Sequence, residues 1–289
     1  MRWCRFDGNR LGVVEGSTVR DVTAALDVLP TFRYPLPSHD VLIANLPAIT
    51  ERCRCLLPSA GALSVETVTL LSPIANPGKL IAAPVNYQKH LDEARRDGQI
   101  HANNPAHTLS IREAGLFLKA GSSLVGPGEG VAIRLPHRRT DHEIELAFII
   151  GREARHVSRR DAMAYVAGYA IGLDITLRGS EDRSFRKSPD SYSVLGPWLV
   201  TADEIPDPGS LDLEVSVNGD RRQCSNTRHL ILGVPELIEL ASAFYTLYPG
   251  DVIFTGTPEG VGPVGAGDEI VATIERIGTM RVEVRAPTS

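Results

Sequence analysis

A chain of 289 residues that is 43% hydrophobic and 22% charged has the composition of a globular protein, with length for one large domain and a small one. Its 30 basic and 35 acidic side chains give a formal net charge of -5, which recruits neither polyphosphate nor an anionic membrane, so nucleic acid and membranes are excluded as partners. Residues 1–10 contain no apolar signal region and no later run approaches roughly 18 apolar residues, so a cytoplasmic, unprocessed protein is expected.

In chain order, Trp3 and Arg5, then Leu11 and Val13, alternate about Asp7-Gly8-Asn9, the pattern of a hairpin. Val19, Val22, Ala25 and Leu26 have helical spacing, as do Val41, Leu42, Leu46 and Ile49, with Ser38 as the expected cap. Cys4, Cys53, Cys55 and Cys224 are too scattered for a disulfide framework, and the one-residue spacer between Cys53 and Cys55 does not suit zinc. Pro73, Pro77 and Gly78 break the pattern at 71–78. Residues 1–72 are therefore expected as a small N-terminal α+β domain and residues 78–289 as the main body.

Strand patterns dominate that body, at 80–83, 130–134, 143–150, 170–177, 211–217, 251–255, 269–274 and 280–284. Helical periodicity remains at 158–168, capped by Ser158 with Ala162, Tyr165 and Val166 inward, and at 234–244. With 26 Gly and 20 Pro punctuating the strands, the expected class is α+β, predominantly β, with a mostly antiparallel barrel-like or sandwich body. Residues 260–265 spell a dinucleotide-binding glycine pattern, but Pro263 lies inside it and a strand, not a helix, follows, so no nucleotide site is expected.

In the 143–150 strand, alternation puts Ile144, Leu146, Phe148 and Ile150 on one face and Glu143 and Glu145 on the other. A solvated face is the commoner meaning of such a pair. Here the glutamate face continues through Ala147 and Ile149, so a metal-binding meaning stands level with it. Asp174 lies in an apolar strand, where an unpaired carboxylate costs several kcal/mol, and it needs a partner. Three carboxylates from two strands suit Mg2+ or Mn2+ better than zinc. Lys187, in a basic run, reads equally as a compensating cation or a solvated lysine. His90 and Glu93 share a face if their segment is helical, which makes a water-activating dyad, although this spacing is more often a surface pair.

The order of these pieces carries more than any one of them. Asn86-Tyr87 with His90 and Glu93 is followed by 117–119 (Phe-Leu-Lys), 122–127 (Ser-Ser-Leu-Val-Gly-Pro) and Asp141-His142-Glu143-Ile144-Glu145. Then come Asp174 with Arg178, Lys187-Ser188, 195–198 (Leu-Gly-Pro-Trp), Asn218-Gly219, Gly250-Asp251 and Gly256-Thr257-Pro258. From about residue 80 to 284 the chain resembles the fumarylacetoacetate hydrolase family. That resemblance implies a mixed β-roll fold, usually in a homodimer, with Mg2+ or Mn2+ held by Glu143, Glu145 and Asp174. It also implies His90 and Glu93 as the water-activating dyad, Lys187 as the neutraliser of an oxyanion and enolate, and Lys119, Arg178 and Thr257 near the substrate.

The activity implied is metal-dependent hydrolysis of a carbon–carbon bond in a small 1,3-dicarbonyl oxo-acid of the acylpyruvate or fumarylpyruvate kind, in aromatic-compound catabolism. Decarboxylation, isomerisation or hydration at the same site, and a non-catalytic member, are the alternatives. Gly179, Ser180 and Glu181 depart from the family pattern after Arg178, and Glu181 is expected to repel an acidic substrate group or to bind a different one. Val85 stands where some acylpyruvate hydrolases have Arg, and Pro189 where Phe is usual. The polar stretch 94–116, with Arg95, Arg96, His101, Asn103, Asn104, His107 and Arg112, is longer than in short members and suggests a lid over the dyad.

Overall fold

The computed structural model describes residues 1–287. The strand Ile144–Ile150 is buried along its whole length within a twelve-stranded sheet. Its alternation serves two cores: Ile144, Leu146, Phe148 and Ile150 enter one, Ala147 and Ile149 the other. Val166–Asp174 and Val252–Phe254 flank it, both antiparallel. Beyond Val252–Phe254 lie Leu80–Ala82, in parallel, and then Phe117–Lys119. On the other side Ser193–Thr201 pairs with Val166–Asp174.

The N-terminal hairpin, Arg2–Phe6 with Arg10–Glu15, continues this sheet by placing Arg2 opposite Val200 and Trp3 opposite Leu199. A five-stranded sheet, which includes Asp212–Val217, Glu269–Ile274 and Gly278–Arg285, packs Val215, Ile270, Ala272 and Met280 into the first core. The helix Val234–Phe244 adds Leu237, Ile238 and Ala241 there, and the helix Leu46–Leu56 seals the second core with Ile49 and Cys53. The architecture is the expected α+β, predominantly β arrangement. Among the described residues, no helix is long and apolar enough to cross a membrane.

Three expected helices differ. Val19 lies in the strand Thr18–Asp21, and only Thr23–Val28 coils, as a 3-10 helix, because pairing with Arg10–Glu15 on one side and Ala62–Ser64 on the other takes up the segment. The 41–49 segment divides into Val41–Ala44 and Leu46–Leu56, and the Asp40 side chain rather than Ser38 caps it, by accepting the Ile43 N–H at 3.0 Å. At 158–168 only Ala162–Tyr165 coils, and Val166 opens a strand.

The strand Ser193–Thr201 carries no legible signal because Gly196-Pro197 interrupts it. Opposite the single residue Ala170, between the pairs Tyr169 with Val200 and Ile171 with Gly196, it loops out three residues starting at Pro197. Within that bulge a missing N–H costs no regular ladder bond. A Cβ at Gly196 would stand 2.8 Å from the Pro127 ring.

Candidate metal and active site

Glu143 leads into Ile144–Ile150, and Glu145 follows on the same side of the strand. Asp174 ends the neighbouring strand, where its N–H donates to the Glu143 carbonyl at 2.9 Å. One oxygen from each carboxylate lies within 4.8 Å of the others, and all three side chains are buried. An all-oxygen donor set of this kind suits a hard divalent cation.

The surrounding cations are unevenly shared. Lys187 Nζ donates to Glu143 Oε2 at 2.8 Å, to Thr176 Oγ1 at 2.8 Å and to Asp174, so all three of its N–H groups are committed. Lys119 donates to Asp174 and to the Tyr192 carbonyl at 2.8 Å, from behind Asp174 rather than from the cavity wall. Arg178 spans Glu143 Oε1 at 2.8 Å and Asp141 Oδ2 at 2.7 Å. Glu145 accepts one backbone N–H, from Gly256 at 2.6 Å, and among the described residues it has no cation partner.

Burial opposes ionisation of Glu143, yet Lys187, Arg178 and His90 overcome it and hold its pKa well below the carboxylate range. Glu145 moves the other way: burial, then the neighbouring Asp174, push its pKa well up. A buried carboxylate with no counter-charge, set within an oxygen triad, fits a divalent cation among these residues.

The helix Gln88–Arg96 sets His90 and Glu93 one turn apart, with His90 Nδ1 and Glu93 Oε2 at 2.8 Å. The ring is 5% exposed and borders the same cavity as the triad, so this is not a surface pair. Glu93 Oε1 accepts the Gly260 N–H at 2.9 Å, which fixes the carboxylate from its other side. Thr257 borders the cavity and accepts Gln223 Nε2 at 2.8 Å, while Gln223 Oε1 accepts the Ile144 N–H at 3.2 Å. No sequence signal marked Gln223, which stands in the polar run of Asp220–Asn226. Asp141, which accepts from both Arg139 and Arg178, appeared only as part of a motif.

The space between these residues is partly open to solvent and about 40 Å³ of it is free. The 94–116 stretch lies over it. Ile100 packs with Ala94 and Val261, Asn104 Nδ2 donates to the Ser180 carbonyl at 3.0 Å, and Arg183 donates to the Ala106 carbonyl at 2.8 Å. Glu181 does not reach the cavity: Arg138 takes it at 2.7 and 2.8 Å, which removes the expected repulsion of an acidic substrate. Gly179 accompanies that pair, since a Cβ there would stand 2.0 Å from Arg138 Nη2. Val85 borders the cavity at φ 48°, a left-handed conformation that costs a β-branched residue about 1–3 kcal/mol.

The family model "Fumarylacetoacetate (FAA) hydrolase C-terminal" matches residues 79–285. A maleylpyruvate hydrolase of Aquipseudomonas alcaligenes is 58% identical over 286 residues, covering 99% of this chain and all of that protein. The crystal structure of a maleylpyruvate hydrolase from Sphingobium sp. SYK-6, in complex with manganese(II) and pyruvate, superposes with a TM-score of 0.84 at 41% identity, covering the whole of both chains. A mitochondrial oxaloacetate tautomerase of Homo sapiens is 36% identical over 240 residues, covering 78% of this chain and 73% of that protein.

Proposed function

The chain belongs to the fumarylacetoacetate hydrolase family, and from that premise we propose that it is a Mn2+- or Mg2+-dependent hydrolase of an acylpyruvate of the maleylpyruvate kind. Water cleaves the bond between the acyl carbonyl and the methylene, giving the acyl acid and pyruvate, a step in the breakdown of aromatic compounds. The observation that carries the reading is the buried triad Glu143, Glu145 and Asp174 sharing one cavity with His90, whose ring Glu93 holds. The triad would hold the ion, which would supply Lewis acidity toward the substrate and relieve the charge of the departing enolate.

The chain's own groups do the rest. Nδ1–H of His90 is spent on Glu93, which leaves Nε2 as the base for water and then as the donor of that proton to the pyruvate methylene. Glu93 keeps the ring in this tautomer, and the Gly260 N–H keeps Glu93 in place. Lys187 has no spare N–H and acts through its charge, orienting Glu143 and Asp174 beside the developing oxyanion. Arg178 and Thr257 position substrate, and Lys119 supports Asp174 from beneath.

The same proposal takes residues 78–289 as the catalytic domain and residues 1–72 as a small N-terminal domain, although strands of both share one sheet. Cytoplasmic residence and a homodimer belong to the same proposal. Cys4, Cys53, Cys55 and Cys224 are free thiols, which suits a reducing compartment, and Phe185 and Phe244 leave apolar surface that a second copy can cover.

The test is incubation of metal-stripped protein with maleylpyruvate, with and without Mn2+ or Mg2+, and mass spectrometry of the products. Maleate and pyruvate appearing only with metal support the reading. Carbon dioxide release or a product of unchanged mass would assign the decarboxylase or tautomerase chemistry instead.

A further inference from the structure

Not every cation at the cavity is matched by an anion. Arg178, Lys187 and Lys119 each hold a carboxylate, but Arg186, only 2% exposed and bordering the cavity, pairs with none among the described residues. Its partners are the carbonyls of Glu181 at 2.8 Å and Leu177 at 3.3 Å and the His107 ring Nε2 at 3.0 Å. A guanidinium has five N–H groups, so two of them remain uncommitted. Arg183 borders the same space, gives one N–H to the Ala106 carbonyl at 2.8 Å, and likewise pairs with no carboxylate among the described residues.

An unpaired buried guanidinium is costly, and burial, with Arg178 nearby, pulls the Arg186 pKa down to about 10. His107 does not relieve it. Nδ1 of His107 faces the His101 carbonyl at 3.1 Å and must carry the proton, so Nε2 accepts from Arg186. Burial first, then Arg186 and Arg183, lower the His107 pKa to about 4, so the ring is neutral at neutral pH and orients Arg186 without adding charge.

We propose that Arg186 and Arg183, with Arg186 held in place by His107, form an anion subsite for a carboxylate at the far end of the acyl chain, which makes diacid acylpyruvates the preferred substrates over neutral ones. The subsite deepens the hydrolase reading above and rests on it. Two arginines facing one small cavity suit a planar carboxylate, which can accept paired N–H groups from a guanidinium fork. Because His107 and the Ala106 carbonyl belong to the covering stretch, the subsite is complete only when that stretch lies over the site as it does here.

The experiment compares kcat/KM for maleylpyruvate and for acetylpyruvate, which lacks the distal carboxylate, in the parent enzyme and in Arg186→Gln, Arg186→Lys and Arg183→Gln. The expected result is that Arg186→Gln lowers the diacid-to-neutral ratio by roughly 30- to 1000-fold, chiefly through KM for the diacid, with a smaller loss for the lysine variant, which keeps charge without the fork. An unchanged ratio overturns the proposal. If Arg186→Gln melts early, Arg183→Gln, at a half-buried side chain, makes the same comparison. Calorimetric titration of the metal-free proteins with maleate separates this proposal from the hydrolase reading. Should the parent cleave neither substrate, maleate binding that is lost in Arg186→Gln still supports the subsite, whereas equal binding or none refutes it.

Discussion

Replacing Glu145 with glutamine should change the metal-free and metal-loaded proteins in opposite directions. The folded carboxyl has its pKa raised above the ordinary 4.5 by burial and by Asp174. Its contribution to stability is therefore fully present below that ordinary value and is lost as pH rises toward the folded value. In that window the folded state holds one proton that the unfolded state has released, so stability falls by about 1.4 kcal/mol per pH unit. Glutamine has no such slope. With Mn2+ at about 100 times its Kd the parent gains about 2.7 kcal/mol, on the order of 5 °C in Tm for a chain of this size. The assay is thermal melting from pH 5 to 8 in chelator or in Mn2+. Metal-free Glu145→Gln should match the parent at pH 5, melt progressively above it as pH rises, and show little response to Mn2+. Parallel pH courses, or an undiminished Mn2+ response in the variant, would refute the assignment of Glu145 as an uncompensated ligand.

On the proposed roles, in which the ring serves water and is not a ligand, His90→Asn should lower kcat by about 100- to 10,000-fold while the Mn2+-induced rise in Tm persists; kinetics and melting read the two effects separately. Asn86→Ala should cost about 2–4 kcal/mol in chemical denaturation, since the amide accepts the Leu232 N–H and donates to the carbonyls of Leu232 and Thr255, each at 2.8 Å, and all three groups are left buried. Gly168→Ala should cost about 1–3 kcal/mol, measured the same way, because its Cβ would stand 2.2 Å from the Val200 carbonyl of the paired strand, where backbone cannot yield.

What the sequence made legible follows the range of the interaction that decides it. The period of two in Ile144–Ile150 is local, so the strand and the shared side of Glu143 and Glu145 could be read directly. The turn that joins His90 to Glu93 is equally local. Periodicity misled at Val19 and Val22, because the same spacing fits one side of a short strand followed by a tight turn, and pairing with Arg10–Glu15 and Ala62–Ser64 is a contact that helical spacing does not encode. The charges around the triad were the least legible. Arg183, Arg186 and Lys187 stand in one short basic run, in which spacing left Lys187 equally a compensating cation or a solvated lysine, yet Lys187 meets Glu143 from 44 residues away and Arg186 meets His107 from 79. Glu181 looked like a carboxylate aimed at substrate until Arg138, 43 residues distant, supplied its partner. Side-chain type and spacing thus offered candidates, while each group's partners depend on which opposite charge the fold delivers to it. Arg186, which receives none, is for that reason the residue on which the choice of substrate turns.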